Sequence, residues 1–101
     1  MRARIAVNRQ KIAEFCERHH IRRLALFGSV LRENFRPDSD VDVLVEFEPG
    51  HEVGFIRLWE LEQELSGLLG GRPLDLLTPK SLNHRIREQV LADAEVHYGG
   101  G

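Results

Sequence analysis

Two aspartates at the start of one segment are the residues of this 101-residue chain whose spacing most directly suits chemistry. Asp40 and Asp42 flank Val41 at the beginning of V-D-V-L-V-E-F, a β-branched segment between turn residues that predicts a strand. Side chains two positions apart on a strand point to the same face. Two such carboxylates repel each other, and a divalent cation removes that cost; Mg²⁺ or Mn²⁺ suits oxygen ligands completed by substrate phosphates. The alternative is a strand whose polar face carries two aspartates.

A third carboxylate, Asp75, is the sole charged side chain of the short apolar segment Leu74–Leu77. If that strand lies beside the strand of Asp40 and Asp42, the three carboxylates surround a site for two metal ions. Such a pair of ions can hold both the attacking and the leaving oxygen of an in-line phosphoryl displacement. Asp75 is then also placed to take the proton from an attacking hydroxyl. The alternative is an exposed aspartate on an edge strand.

A glycine–serine pair supplies a candidate phosphate site. Gly28 follows the apolar segment 23–27, a predicted buried strand, and Ser29 is a favoured N-cap for a short helix predicted over 30–34. A helix N-terminus offers unpaired N–H groups and a partial positive charge to a phosphate, and glycine lets the backbone approach it closely. Gly-Ser pairs are common, so this pair indicates a phosphate site only in combination with the aspartates.

The periodicity of the chain predicts the elements that must position these residues. Helices are expected over 8–19, over 55–69 and around Leu82, Ile86 and Val90; strands are expected over 23–27, 41–47, 74–77 and 96–98. This order predicts an α/β (α+β) fold, a small mixed β-sheet flanked by helices, formed by a single domain of residues 1–98. Residues 99–101 are expected to be a flexible glycine tail. Phe55 and Trp59 lie at helical spacing and are expected to fill the core; the alternative is a partner-binding patch.

Composition excludes several classes of protein. The 42% hydrophobic and 30% charged residues are typical of a globular domain, and no apolar run approaches the about 20 residues that cross a bilayer. The single Cys16 excludes an internal disulfide and is expected to be buried. We therefore expect a cytoplasmic protein without membrane association. No basic patch with interleaved aromatics is present, so direct nucleic-acid binding is not expected.

Charge is unevenly distributed along the chain. Residues 1–36 hold nine basic and three acidic residues, whereas residues 37–101 hold five basic and thirteen acidic residues. The basic first third is either a solvated surface or a region that faces phosphates or an acidic partner. Arg22 and Arg23, in particular, are candidates to hold the phosphates of a ligand or to contact a partner's acidic face.

Gly28-Ser29, ten intervening residues and Asp40-Val41-Asp42 resemble the signature of the DNA polymerase β-like nucleotidyltransferase superfamily. The segments L-F-G-S-V-L-R and S-D-V-D-V-L-V resemble, more narrowly, the minimal nucleotidyltransferase (MNT) antitoxins of HEPN–MNT toxin–antitoxin systems. The resemblance implies that Asp40 and Asp42 bind both metal ions, and that Asp75 binds one and acts as base. It also implies that Gly28 and Ser29 hold the β- and γ-phosphates, with help from Arg32.

The resemblance further implies an activity and a partner. The expected reaction is Mg²⁺-dependent (or Mn²⁺-dependent) transfer of AMP from ATP to a tyrosine of a HEPN-domain ribonuclease toxin encoded beside this chain, which silences the toxin. One alternative is an antitoxin that inhibits its toxin by binding alone. Another is a nucleotidyltransferase acting on a small molecule or on RNA. A homodimer and a hetero-oligomer with the toxin are both compatible with a chain of this length.

Overall fold

The described part of the chain, residues 8–28 and 40–99 of a computed structural model, contains three α-helices and four strands. In chain order these are α1 (Arg9–Arg18), β1 (Ile21–Phe27), β2 (Val41–Phe47), α2 (Phe55–Leu68), β3 (Leu74–Leu77), a 3₁₀ turn (Pro79–Ser81), α3 (His84–Asp93) and β4 (Glu95–Gly99). The bounds of β2 and β3 are those predicted from sequence. The short helix predicted over 30–34 lies outside the described residues.

The four strands form one mixed sheet in the order β3-β2-β1-β4. β1 pairs antiparallel with both β2 and β4, whereas β2 and β3 are parallel. Parallel neighbours need a crossover connection, and α2 provides it between β2 and β3. The predicted α+β fold with a small mixed sheet flanked by helices is confirmed.

The two faces of β2 bury different side chains because the side chains of a strand alternate. Val41, Val43 and Val45 are fully buried in the main core. Residues of α1 and α2 complete that core, among them Ile12, Phe15, Leu61 and Leu65. On the opposite face Leu44 joins a second cluster with Phe27 and Leu82, against which Val90 of α3 packs. Asp42 shares this second face, so it lies beside an apolar cluster.

Gly99 is the residue of the predicted tail 99–101 that the structure describes. Gly99 is the last residue of β4 and pairs with Arg23 of β1. Its φ is +68°, and a Cβ at this position would overlap the carbonyl oxygen of Arg22. Glycine is required here because the backbone is left-handed and the neighbouring strand is too close for a side chain.

One of two predictions about buried side chains is confirmed. Cys16 is fully buried, as expected. The expectation that Phe55 and Trp59 fill the core is wrong, since Phe55 is 90% exposed and Trp59 is 60% exposed. Helix α2 buries Leu61 and Leu65 instead, and Leu58 is partly buried against the same core.

No helix in the described ranges is long and apolar enough to span a membrane. The longest, α2, has 14 residues.

Candidate active site

Asp42 and Asp75 lie side by side on neighbouring strands. They are register partners in the parallel pairing of β2 with β3, so their side chains share one face of the sheet. Asp42 is half-buried and Asp75 is exposed. Asp40, which is exposed, lies immediately before β2 on the same side. The sheet therefore meets the condition on which the sequence analysis grouped the three carboxylates, namely that β3 lies beside β2.

The electrostatics of Asp42 reflect this crowding. Burial raises the pKa of the Asp42 carboxyl above its usual range, and the charges of Asp75 and Asp40 raise it further. The shift means that the protein around Asp42 favours a neutral group over an added negative charge. A bound cation would reverse that preference, because carboxylate oxygens are the ligands of hard divalent ions.

Gly28 lies against Asp42 at the end of β1. Its φ is +77°, and a Cβ added to it would overlap Oδ2 of Asp42. The register explains this approach, because the preceding residue, Phe27, is the partner of Asp42 on β1. The candidate phosphate-binding glycine and the candidate metal-binding aspartate are therefore in direct proximity. Ser29 and Arg32, the other predicted nucleotide-binding residues, lie outside the described residues.

A cavity of about 450 Å³ opens beside the carboxylates, between α2 and β3. Asp40 and Asp75 form one side of it, and Glu62, Gln63 and Ser66 of α2 form another. The sequence analysis missed these α2 residues, although helical spacing puts positions 62, 63 and 66 close together on one flank.

Hydrogen bonds from α2 fix the shape of this cavity. Glu62 Oε1 accepts the backbone N–H of Leu76 at 3.1 Å, and the Ser66 hydroxyl donates to the carbonyl of Arg72 at 2.5 Å. Both bonds tie α2 to the segment that contains β3. The wall of the cavity is thus attached to the strand that carries Asp75.

The two arginines considered as phosphate ligands are engaged elsewhere. Arg22 contacts Glu46 at 3.1 Å and Arg23 contacts it at 3.4 Å. Glu46 lies four residues after Asp42, about 13 Å further along the strand. The structure therefore does not bring Arg22 and Arg23 to the aspartates of the candidate site.

The carboxylate oxygens of Asp40, Asp42 and Asp75 are the kind of ligand that hard divalent cations prefer. Within residues 8–28 and 40–99, no three His, Cys, Asp or Glu side chains are grouped closely enough to hold a metal ion by themselves. Substrate phosphates commonly supply part of the shell of Mg²⁺, which binds through one or two carboxylates. Asp42 with either neighbouring aspartate fits that donor set.

The mixed sheet, the paired aspartates and the adjacent glycine are the arrangement expected of a nucleotidyltransferase. Residues 9–97 match the family described as "Nucleotidyltransferase domain", and the chain belongs to that family. The protein adenylyltransferase MntA of Thermococcus cleftensis is 41% identical over 81 residues, which cover 79% of this chain and 78% of that protein. The resemblance to minimal nucleotidyltransferases is thereby confirmed, and the chain is a nucleotidyltransferase with relatives that are named protein adenylyltransferases.

Solved structures agree with this assignment. A crystal structure of a toxin–antitoxin complex with AMP-PNP is similar to this chain with a TM-score of 0.74 and 25% identity, covering 93% of this chain and 75% of that one. A structure of the toxin–antitoxin pair carrying the substitution Y104A is similar to this chain with a TM-score of 0.73 and 25% identity. The match covers 94% of this chain and 75% of that one.

Proposed function

We propose that this chain is an antitoxin that transfers AMP from ATP to a tyrosine of a HEPN-domain ribonuclease toxin, in a reaction that requires Mg²⁺. The observation that carries the proposal is the register pairing of Asp42 with Asp75, with Gly28 packed against Asp42. The relative named as a protein adenylyltransferase and the similar toxin–antitoxin complex with an ATP analogue support it. Because the reaction consumes ATP, we place it in the cytoplasm.

Each site residue has a distinct part in this proposal. Asp40 and Asp42 would hold two Mg²⁺ ions and Asp75 one of them, with substrate phosphates completing the shells. When bound, the ions would neutralise the charge that develops on the phosphates and keep the α-phosphate in place. Gly28 and Ser29 bind the β- and γ-phosphates through backbone N–H groups, since a glycine at this position lets the chain approach the ligand closely. Arg32 adds a positive charge to the same phosphates.

The proposed transfer is a single in-line displacement. The tyrosine oxygen forms a bond to the α-phosphorus of ATP, and the bond from that phosphorus to the oxygen bridging to the β-phosphate breaks. Asp75 accepts the proton of the tyrosine hydroxyl. Pyrophosphate leaves on the side of Gly28. The protein contributes mainly by holding the reacting atoms in line.

Mass spectrometry of the HEPN protein encoded beside this chain tests the proposal. The intact toxin is measured after incubation with this protein, ATP and Mg²⁺, and we expect mass gains in steps of one AMP. The sites are then located by peptide fragmentation, which we expect to identify tyrosine. Asp42→Asn is expected to lose at least a hundredfold in rate, whereas Asp93→Asn, at an exposed aspartate of α3, should retain full activity.

The alternatives give different results in the same experiment. An unmodified toxin that is still inhibited within a stable complex would show a binding antitoxin. Transfer of AMP to RNA or to a small molecule, with the toxin unmodified, would show that the toxin is not the acceptor. Transfer that persists in EDTA, or full transfer by Asp42→Asn, would refute the proposed metal site.

A further inference from the structure

The order of the strands determines the side from which the acceptor approaches. Gly28 lies at the end of β1, Asp42 on β2 and Asp75 on β3, so the candidate phosphate glycine and the candidate base are on opposite sides of Asp42. Two strand spacings separate β1 from β3, about 10 Å. In an in-line displacement the attacking and leaving oxygens lie on opposite sides of the phosphorus. With pyrophosphate on the β1 side, the acceptor must enter past β3.

The cavity between α2 and β3 lies on that side of the site. Its described lining contains three carboxylates, Asp40, Glu62 and Asp75, together with Gln63 and Ser66, and no lysine or arginine. Asp40 and Asp75 are proposed ligands of Mg²⁺, whereas Glu62 adds a negative charge that disfavours a phosphate at this wall, because like charges repel. The lining suits a neutral hydroxyl, which donates a hydrogen bond to a carboxylate. The volume of about 450 Å³ exceeds that of one aromatic side chain.

An exposed apolar surface leads to this cavity along α2. Phe55 is 90% exposed, Ile56 is 83% exposed and Trp59 is 60% exposed, and they are the large exposed hydrophobic residues of the described chain. Trp59 precedes Gln63 by four residues, one helical turn, so it lies on the flank that lines the cavity. Exposed aromatic residues grouped beside a functional pocket are typical of protein interfaces, in which Trp is enriched among the residues that dominate affinity.

We propose that the acceptor protein docks on the α2 flank formed by Phe55, Ile56 and Trp59 and inserts its hydroxyl-bearing side chain into the cavity beside Asp75. This inference rests on the function proposed above and specifies where its acceptor binds. The continuity of the apolar flank with the cavity favours a protein over a small acceptor, since a small molecule would gain nothing from Phe55, which lies two turns before the cavity residues of α2.

Steady-state transfer to the HEPN protein at saturating ATP tests the docking surface. Trp59→Ala and Phe55→Ala are each expected to raise the KM for the HEPN protein by about tenfold or more, with little change in kcat. Glu88→Ala, at an exposed position of α3 on the other face of the sheet, is the control and should leave KM unchanged.

A second pair of variants tests the cavity. Gln63 is exposed at the cavity wall, so Gln63→Trp should fill the opening and lower kcat/KM by about tenfold or more, whereas the same change at an exposed glutamine of α3, Gln89→Trp, should preserve it. Binding of a fluorescent ATP analogue should be the same in both variants and the wild type.

Each of the other outcomes has a definite meaning. Wild-type KM in both Trp59→Ala and Phe55→Ala would overturn the docking surface. Loss of ATP-analogue binding in Gln63→Trp would assign the cavity to the nucleotide instead. Altered self-association of Trp59→Ala in sedimentation, with KM unchanged, would make this flank a homodimer face.

Failure of the proposed function is recognised separately. If the wild type binds the HEPN protein without modifying it, the transfer reaction is absent. The binding affinity of Trp59→Ala then still decides whether the α2 flank is the docking surface.

Discussion

Replacing Gly28 by alanine tests whether this glycine is required by its contact with Asp42. A non-glycine residue in the left-handed region costs about 1–2 kcal/mol. The new Cβ also overlaps Asp42 Oδ2, so the carboxylate must leave its position. An off-rotamer side chain costs about 0.5–1.5 kcal/mol. We therefore expect Gly28→Ala to lower the free energy of unfolding by about 2–3 kcal/mol and to reduce transfer activity.

Gly50 provides a matched control for the backbone part of this cost. Its φ is +84°, close to the +77° of Gly28, but a Cβ there would meet no atom within 4 Å. Gly50→Ala should therefore show the backbone strain alone. The expected difference between the two variants is about 1 kcal/mol, or roughly 4–8 °C in Tm for a domain of this size. Urea unfolding of both proteins measures it directly.

A double-mutant cycle assigns the difference to Asp42. In an Asp42→Ala background the carboxylate is gone, and the remaining approach to the Cβ of residue 42 is an ordinary 3.4 Å contact. Gly28→Ala should then cost no more than Gly50→Ala. Equal costs for Gly28→Ala and Gly50→Ala in the wild-type background would refute the argument, as would an unchanged cost of Gly28→Ala when Asp42 is removed.

Three further predictions follow from buried or paired groups. Burial and neighbouring charges raise the pKa of Asp42 in the folded chain above its value in the unfolded chain. The folded state therefore favours the protonated carboxyl, and this stabilisation is fully present below the unfolded pKa and is lost as pH rises through the folded pKa. Asp42→Asn should therefore be more stable than wild type at pH 7 in EDTA, and urea unfolding at pH 3 and pH 7 should show the gain mainly at pH 7. Burial raises the pKa of Cys16 to about 12, so a thiol reagent at pH 8 should react with it only at the rate of unfolding; fast reaction of the native protein would contradict this. Glu62→Ala removes the acceptor of the Leu76 N–H and should lower the free energy of unfolding by about 1–2 kcal/mol, measured by urea unfolding against Glu60→Ala.

Local patterns in the sequence predict most of this fold. The β-branched segment Val41–Phe47 and the short apolar segment Leu74–Leu77 form strands with the predicted bounds. Residues of the first predicted helix, including Cys16, are buried as helical spacing indicates. The sequence predicts a shared site for Asp42 and Asp75 only if their two strands are neighbours, because strand order depends on packing between distant segments. The register pairing fulfils that condition.

The wrong prediction for α2 has a physical reason. Helical spacing places Phe55 three residues before Leu58, in line with Leu61 and Leu65, and so indicates a buried side chain. Periodicity does not fix the centre of the buried face of a helix. Leu58, Leu61 and Leu65 face the main core, and Phe55 and Trp59 lie on the flank of that face, where they are exposed.

The bond from the Leu76 N–H to Glu62 has a consequence for the solution behaviour of the protein. β3 is an edge strand, and the outward N–H groups of an edge strand invite pairing with a strand of another molecule, a common route to aggregation. Glu62 occupies one of these groups with a charged side chain that a second backbone would have to displace. The strand that carries Asp75 thus remains open to an incoming side chain while it resists extension of the sheet by another chain.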